Sequence, residues 1–209
     1  AGLAGSEAAW QLANRGFQVR LVEMRPEKTS PAHSTALFGE LVCSNSLRGD
    51  SLANAVGLLK EELRHLHSLV MESAEKNRVE AGGALAVDRV EFARTITQAL
   101  EQHENITVER REVTQIPQEP TIIATGPLTS DTMAEAIVAH FGGAKGLNFY
   151  DAAAPLVSFE SLDMDHCWFA SRYDKGTADY VNCAMNETEY LDFVRELAAA
   201  QEAEVHGFE

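Results

Sequence analysis

Two kinds of chemistry-bearing residue stand out in this sequence: glycines spaced to admit a phosphate, and a cysteine set in a polar loop. Ala1-Gly2-Leu3-Ala4-Gly5 runs straight into Ser6-Glu7-Ala8-Ala9-Trp10-Gln11-Leu12-Ala13-Asn14-Arg15-Gly16. The segment matches the last part of G-x-G-x-x-G, with Gly2 and Gly5 as its second and third glycines. Gly2 would let the backbone approach a pyrophosphate, and Gly5 would let the following helix lie close on a sheet. A helix N-terminus adds free N–H groups and the positive end of its dipole. Phe17-Gln18-Val19-Arg20-Leu21-Val22 reads as the next strand and ends in Glu23, placed to accept from a ribose hydroxyl. A lone G-x-x-G also fits an ordinary βα turn. The order of loop, Ala-rich helix, Gly16 stop, strand and terminal acid favours a dinucleotide. The first glycine and the strand before it are expected upstream of residue 1.

Cys43 lies in Glu40-Leu41-Val42-Cys43-Ser44-Asn45-Ser46-Leu47-Arg48. A following helix N-terminus and Arg48 would both favour its thiolate, which makes it a candidate nucleophile. A buried, inert cysteine fits the same residues. Cys167, in Asp165-His166-Cys167-Trp168-Phe169, and Cys183, in Val181-Asn182-Cys183-Ala184-Met185, read as packing residues. His33 is expected to be a solvated loop histidine. His65 and His67 sit two apart, so on a helix they cannot share a ligand. Arg172, Asp174 and Lys175 would suit an anionic substrate or a plain charged turn ending at Gly176.

Composition narrows the classes. The 209 residues are 45% hydrophobic, enough for a real core, so disorder is not expected. No apolar run approaches the ~18 residues of a membrane span, and no membrane partner is expected. Three cysteines without C-x-x-C argue against a disulfide framework and a structural zinc site, leaving a reducing cytoplasm and no metal as the expectation. Net charge is −15, from 17 Lys and Arg against 32 Asp and Glu. Such a field repels nucleic acid unless basic groups gather on one face, so composition alone speaks against an RNA partner.

The elements that would position these residues follow from periodicity. Residues 6–15 read as a helix and 17–23 as a strand, with a loop-rich stretch from 24 to 50. Leu52, Val56, Leu59, Leu63, Leu66 and Val70 recur at helical steps, predicting one long helix from Leu52 to Lys76, with Lys60, Glu61, Glu62 and Arg64 on its polar face. Ala81-Gly82-Gly83-Ala84-Leu85-Ala86-Val87 reads as a turn and short extended piece. Asp88 should cap a helix over 89–102, with Glu91 as its capping-box partner. Asn105 to Val113 alternates like a half-exposed strand. Thr121-Ile122-Ile123-Ala124-Thr125-Gly126-Pro127 reads as a buried strand ending in a turn. A helix from Asp131 to Phe141, a strand over 148–157 and a last helix from Thr188 to Ala203 complete the pattern. The fold class expected is α/β: a Rossmann-like dinucleotide domain over 1–128, lacking its first strand, then part of an inserted α+β domain over 129–209. Ala124-Thr125-Gly126 favours FAD over NAD by analogy with two-part flavoproteins.

The segments Ala1 to Ala9, Val22 to Pro26, Pro31 to His33, Glu40 to Arg48, Ala81 to Arg89, Thr121 to Ser130, Tyr150 to Pro155 and Ser171 to Gly176 together resemble one bacterial family. It is the folate- and FAD-dependent tRNA (uracil-5-)-methyltransferase family, and the likeness runs over nearly the whole chain. The resemblance implies methylation of carbon 5 of the T-loop uridine of tRNA. Methylenetetrahydrofolate would be the one-carbon donor, FAD the relay and reductant, and NAD(P)H the electron source. It implies FAD binding by Ala1, Gly2, Leu3, Ala4, Gly5, Glu23 and Arg25, with Ser44, Asn45, Gly83, Ala84, Thr125 and Gly126 nearby. Cys43 matches a functional family cysteine close to the flavin, acting as a base or a protecting thiol. Uracil carbon 5 becomes nucleophilic only after a thiolate adds at carbon 6. The family cysteine with that role falls beyond Glu209, so this chain alone is expected to be inactive and the basic tRNA surface to lie mostly elsewhere. Two competing readings are an NAD(P)H-dependent flavin oxidoreductase with a redox Cys43 and no RNA substrate, and a non-catalytic FAD-fold binding module.

Overall fold

A computed structural model describes residues 1–142, 157–171 and 177–201. Helix α1 (Leu3–Ala13) buries Ser6, Ala9 and Ala13, small side chains at helical spacing that let it lie close on its neighbours. Gly16, at φ +85°, turns the chain into strand β1 (Val19–Glu23). β1 pairs in parallel with β5 (Ile106–Arg110), in register from Val19↔Ile106 to Glu23↔Arg110. Between them run β2 (Ser46–Gly49), α2 (Ala55–His65), α3 (Leu69–Lys76), β3 (Arg78–Val79), β4 (Ala84–Val87) and α4 (Arg89–Gln102). The strands of this insertion form an antiparallel sheet in the order β2-β4-β3. A parallel pair bridged by helices, with further antiparallel elements, is α/β and Rossmann-like.

The core lies where α1, α3 and α4 meet β1 and β4. Phe38, Leu85, Val87, Phe92, Ile96 and Leu100 are each 0% exposed, joined by Leu69, Met71, Ala74 and Ile106. Each such large side chain contributes about 1.5–3 kcal/mol by leaving water. Phe38 belongs to the loop after β1, so that loop is anchored in the core, and Phe38 N–H donates to buried Thr97 Oγ1 at 2.8 Å.

Four expectations change. The long helix over 52–76 is two helices, because His67 takes a left-handed φ of 52° and Ser68 restarts the helix as the N-cap of α3. The apolar spacing continues across this break, which hides it from periodicity, and Leu52, Leu59 and Leu66 stay exposed. Lys60, expected on the polar face, is buried with Nζ donating to Gly49 O at 2.9 Å and Val56 O at 3.2 Å. Asp88 does cap α4, accepting from Val90 and Glu91 N–H, but the Glu91 side chain turns to Arg94 and forms no capping box. Thr121–Pro127 joins no ladder among the described residues, and Ile122 and Ile123 are exposed. A strand needs a partner for its backbone groups, and no described strand runs beside this one.

Beyond α5 (Asp131–His140), β6 (Cys167–Ala170) pairs antiparallel with β7 (Tyr180–Cys183), and α6 (Glu187–Ala199) begins with a capping box between Asn186 and Glu189. The β6–β7 ladder was not expected from the sequence. The strand expected over 148–157 lies outside the described residues except at its end. So do Arg172, Asp174, Lys175 and Gly176.

Candidate functional site

The site starts from an uncapped helix. Gly2 is the N-cap of α1 at φ −71° and ψ −173°, with no side-chain cap and no acidic residue in the first turn. The first helical bond runs from Ser6 N–H to Gly2 O at 2.9 Å, so the preceding amides of Leu3, Ala4 and Gly5 have no partner within the helix. A Cβ built on Gly2 would meet nothing within 4 Å. Its backbone conformation suits any residue, so the protein itself does not demand glycine there. Gly5 differs: a Cβ there would lie 3.5 Å from Ala124 Cβ. Ala124 thus lies against the start of the helix, although its segment is not a strand.

Glu23 ends β1 beside this loop and is 8% exposed. Its Oε1 accepts from Arg25 N–H and Nε, each at 3.0 Å, and its Oε2 accepts from Arg25 Nη2 at 3.2 Å and the Ala1 backbone nitrogen at 2.7 Å. Burial pushes this carboxyl up. The donors from Arg25, with the Ala1 nitrogen beside them, outweigh burial and hold it at about 2. Arg25 is 2% exposed, and its Nη1 reaches Glu40 Oε2 at 2.9 Å and Thr35 O at 3.2 Å. Arg25 is spent inside the protein, bridging Glu23 to Glu40.

Glu40 gathers the loop above. Its oxygens accept from the backbone N–H and hydroxyl of both Ser34 and Thr35. These bonds overcome burial and lower its carboxyl below the ordinary range. Arg110 closes the network from β5, donating to Arg25 O and Ala36 O, with its guanidinium 4.2 Å over the Phe38 ring. His33 is half-buried and not the solvated histidine expected. Its Nδ1 meets Ser30 Oγ at 2.6 Å, and burial with the nearby Arg25 charge lowers its pKa. No residue pattern marks Glu40 or Arg110 in the sequence; their role appears only when the loop folds back over β1 and β5.

Cys43 is half-buried in the loop that enters β2. The helix N-terminus expected to activate it is not adjacent, because β2 and the Asp50–Asn54 turn intervene before α2. The β2–β4 ladder collects the neighbouring positions. Val87 N–H donates to Asn45 O at 3.0 Å, Asn45 Nδ2 donates to Val87 O at 3.2 Å, and Asp50 N–H donates to Gly83 O at 3.0 Å. Ser44 and Asn45, with Cys43 before them, therefore lie at the Val87 end of this ladder, and Gly83 and Ala84 at its other end beside Gly49 and Asp50. A cavity of about 150 Å³ adjoins the Cys43 loop, lined by Ser34, Thr35, Glu40, Leu41, Val42 and Arg89 among others. A larger groove of about 300 Å³, between α1 and α2, is lined by Glu7, Gln11, Leu12, Arg15, Leu63 and Leu66 and touches none of the expected site residues.

The family model described as "Glucose inhibited division protein A" matches residues 1–209. A protein of Lactobacillus helveticus is 57% identical over 210 residues, covering all of this chain and 51% of that protein. Proteins of Shouchella clausii and Staphylococcus aureus strain Newman are each 57% identical over 209 residues, covering all of this chain and 48% of theirs. All three bear the name methylenetetrahydrofolate–tRNA-(uracil-5-)-methyltransferase TrmFO. The chain spans about half the length of the curated relatives it matches.

Proposed function

The chain belongs to the glucose inhibited division protein A family, and we propose that it is the FAD-binding portion of a folate-dependent tRNA (uracil-5-)-methyltransferase. Relatives at 57% identity carry that name. The observation on which the proposal rests is the uncapped start of α1, with open space over Gly2 and a buried carboxylate at the tip of β1. That combination fits the ADP half of FAD: free amides for the pyrophosphate and an ionised acceptor for the ribose.

Under this proposal Ala1 to Gly5 hold the pyrophosphate and Glu23 the ribose. Arg25 acts through Glu23, keeping it ionised and oriented. Ser44, Asn45, Gly83, Ala84, Thr125 and Gly126 border the remainder of the cofactor. FAD, when bound, supplies the two-electron reduction that takes a methylene group to methyl, with NAD(P)H as electron source. Cys43 is the candidate catalytic thiol, working as a base or a shield at the edge of that region. Residues 1–128 form the cofactor domain and 129–209 the start of a second domain. The substrate is the T-loop uridine of tRNA, and the location is cytoplasmic. No helix among the described residues is long and apolar enough to cross a membrane.

The acidic charge bears on the tRNA partner. Arg20, Arg25, Lys28, Arg64, Arg78, Arg94, Arg110, Arg111 and Arg195 are each paired with a carboxylate. Each therefore carries a neighbouring negative charge that opposes an approaching phosphate. Most tRNA contacts then fall to the rest of the intact protein.

The test uses that intact protein. Its visible spectrum is recorded, and labelled methylenetetrahydrofolate is supplied with NADPH and tRNA lacking the T-loop methyl group. A flavin spectrum with label in the uracil methyl is the expected result. Flavin with NADPH oxidation and no label would overturn the methyltransferase assignment.

A further inference from the structure

The β6–β7 ladder sets Cys167 directly opposite Cys183. Side chains facing each other across an antiparallel pair hold their Cβ atoms about 4.5–5.5 Å apart. A disulfide needs roughly 3.5–4.5 Å, so closing one here takes only a small approach. Both cysteines are free. Burial, then the facing Cys183 thiol, push the Cys167 thiol up. Cys183 is exposed and Cys167 half-buried, which fixes the order in which an oxidant would meet them. No group of three or more His, Cys, Asp or Glu side chains among the described residues converges to hold a metal.

The same strand touches the candidate site. Tyr180 Oη, in β7, donates to Ala81 O at 2.8 Å, and Asp179 Oδ2 accepts from Gly82 N–H at 2.5 Å. Gly82, at φ +57°, fits under the ring, and a Cβ there would lie 2.9 Å from Tyr180 Cε2. The next residues are Gly83 and Ala84. What stiffens β7 therefore also holds the turn that carries them.

We propose that Cys167 and Cys183 are a redox pair, closing an intrachain disulfide across β6–β7 that fixes β7 on the Ala81–Gly83 turn. The oxidant is a low-molecular-weight disulfide. The exposed Cys183 thiolate attacks one of its sulfurs, forming a mixed disulfide and releasing one thiol. Cys167 then attacks Cys183 Sγ, its proton passes to solvent, and the second small thiolate leaves and is protonated. Two cysteine thiols are oxidised by two electrons as one small disulfide is reduced to two thiols. An adjacent resolving cysteine is what makes such exchange fast and reversible.

The intact protein is incubated with oxidised glutathione, alkylated, digested without reductant and mapped by mass spectrometry, with hydrogen exchange followed over the segment containing Ala81–Gly83. The expected result is a Cys167–Cys183 linked peptide pair that dithiothreitol reverses, with slower exchange at the turn. Cys43→Ala keeps the link, and Cys183→Ser abolishes it while leaving Cys167 open to alkylation. Glutathione retained on Cys183, or a link from Cys183 to another cysteine or a second chain, overturns the pair. Unchanged exchange at the turn overturns the coupling to it.

Discussion

Replacing Arg25 by Met tests the ion network that holds Glu23. The substitution keeps a long apolar stem and removes the donors to Glu23 Oε1 and Oε2, Glu40 Oε2 and Thr35 O. Breaking a buried pair from one side costs about 3–5 kcal/mol. A second route gives a smaller figure. Glu23 is held at about 2 against an ordinary 4.5, and at ~1.36 kcal/mol per unit that favours the ionised fold by roughly 3 kcal/mol near neutral pH. Contacts other than Arg25 share in that figure, so Arg25 carries less than all of it. The sign is that of a depressed acid: the contribution is whole above 4.5 and is lost as pH falls through about 2. Urea unfolding followed by circular dichroism, at pH 7 and at pH 3, reads the effect. With a slope of about 2 kcal/mol/M, the two routes together put the fall in the pH 7 midpoint of Arg25→Met at roughly 1–2.5 M. The gap to wild type should narrow at pH 3, because part of the wild-type contribution is already gone there. A loss under about 0.5 M at pH 7, or an equal loss at both pH values, would refute the network.

Other perturbations have defined outcomes. Ser68→Ala removes the cap of α3 and the 2.8 Å bond from Ser68 Oγ to Glu7 Oε2; it should cost about 1–2 kcal/mol in thermal or urea unfolding. Lys60→Met strips the donor from Gly49 O and should cost about 1–3 kcal/mol; a neutral result would mean the buried ammonium ties nothing. In the intact protein, Cys43→Ala should keep the flavin spectrum and lower methyl transfer, and undiminished turnover would remove Cys43 from the chemistry.

The parts legible in sequence were those governed by local chemistry. The Gly2–Gly5 spacing, the Gly16 stop and the Asp88 cap each act within a few residues, and α1, β1, α4 and β5 followed from them. The break between α2 and α3 was hidden because Ser68 is fixed by Glu7, 61 residues away. Lys60 was misplaced for a similar reason: its partner Gly49 O lies outside its helix. Thr121–Pro127 has the apolar content of a buried strand, but a strand is defined by its neighbour. Periodicity could not supply the pairing of β6 with β7, where four-residue strands carry too short a pattern. In the candidate site the glycines that open α1 were readable. The Glu23–Arg25–Glu40 network was not, because Glu40 is brought to Arg25 only by folding of the intervening loop.

The most direct test of the cofactor cradle is the FAD affinity of Gly2→Val in the intact protein, measured beside its thermal midpoint. A Cβ at Gly2 meets nothing within 4 Å, so stability should change by no more than about 1 kcal/mol, the scale of an N-cap substitution. The added side chain would stand where the pyrophosphate approaches, and FAD should bind at least about tenfold more weakly, an effect of ~1.4 kcal/mol or more. An intact fold with lost flavin is the predicted result. Unchanged flavin affinity would contradict the assignment of Ala1 to Gly5 as the phosphate cradle.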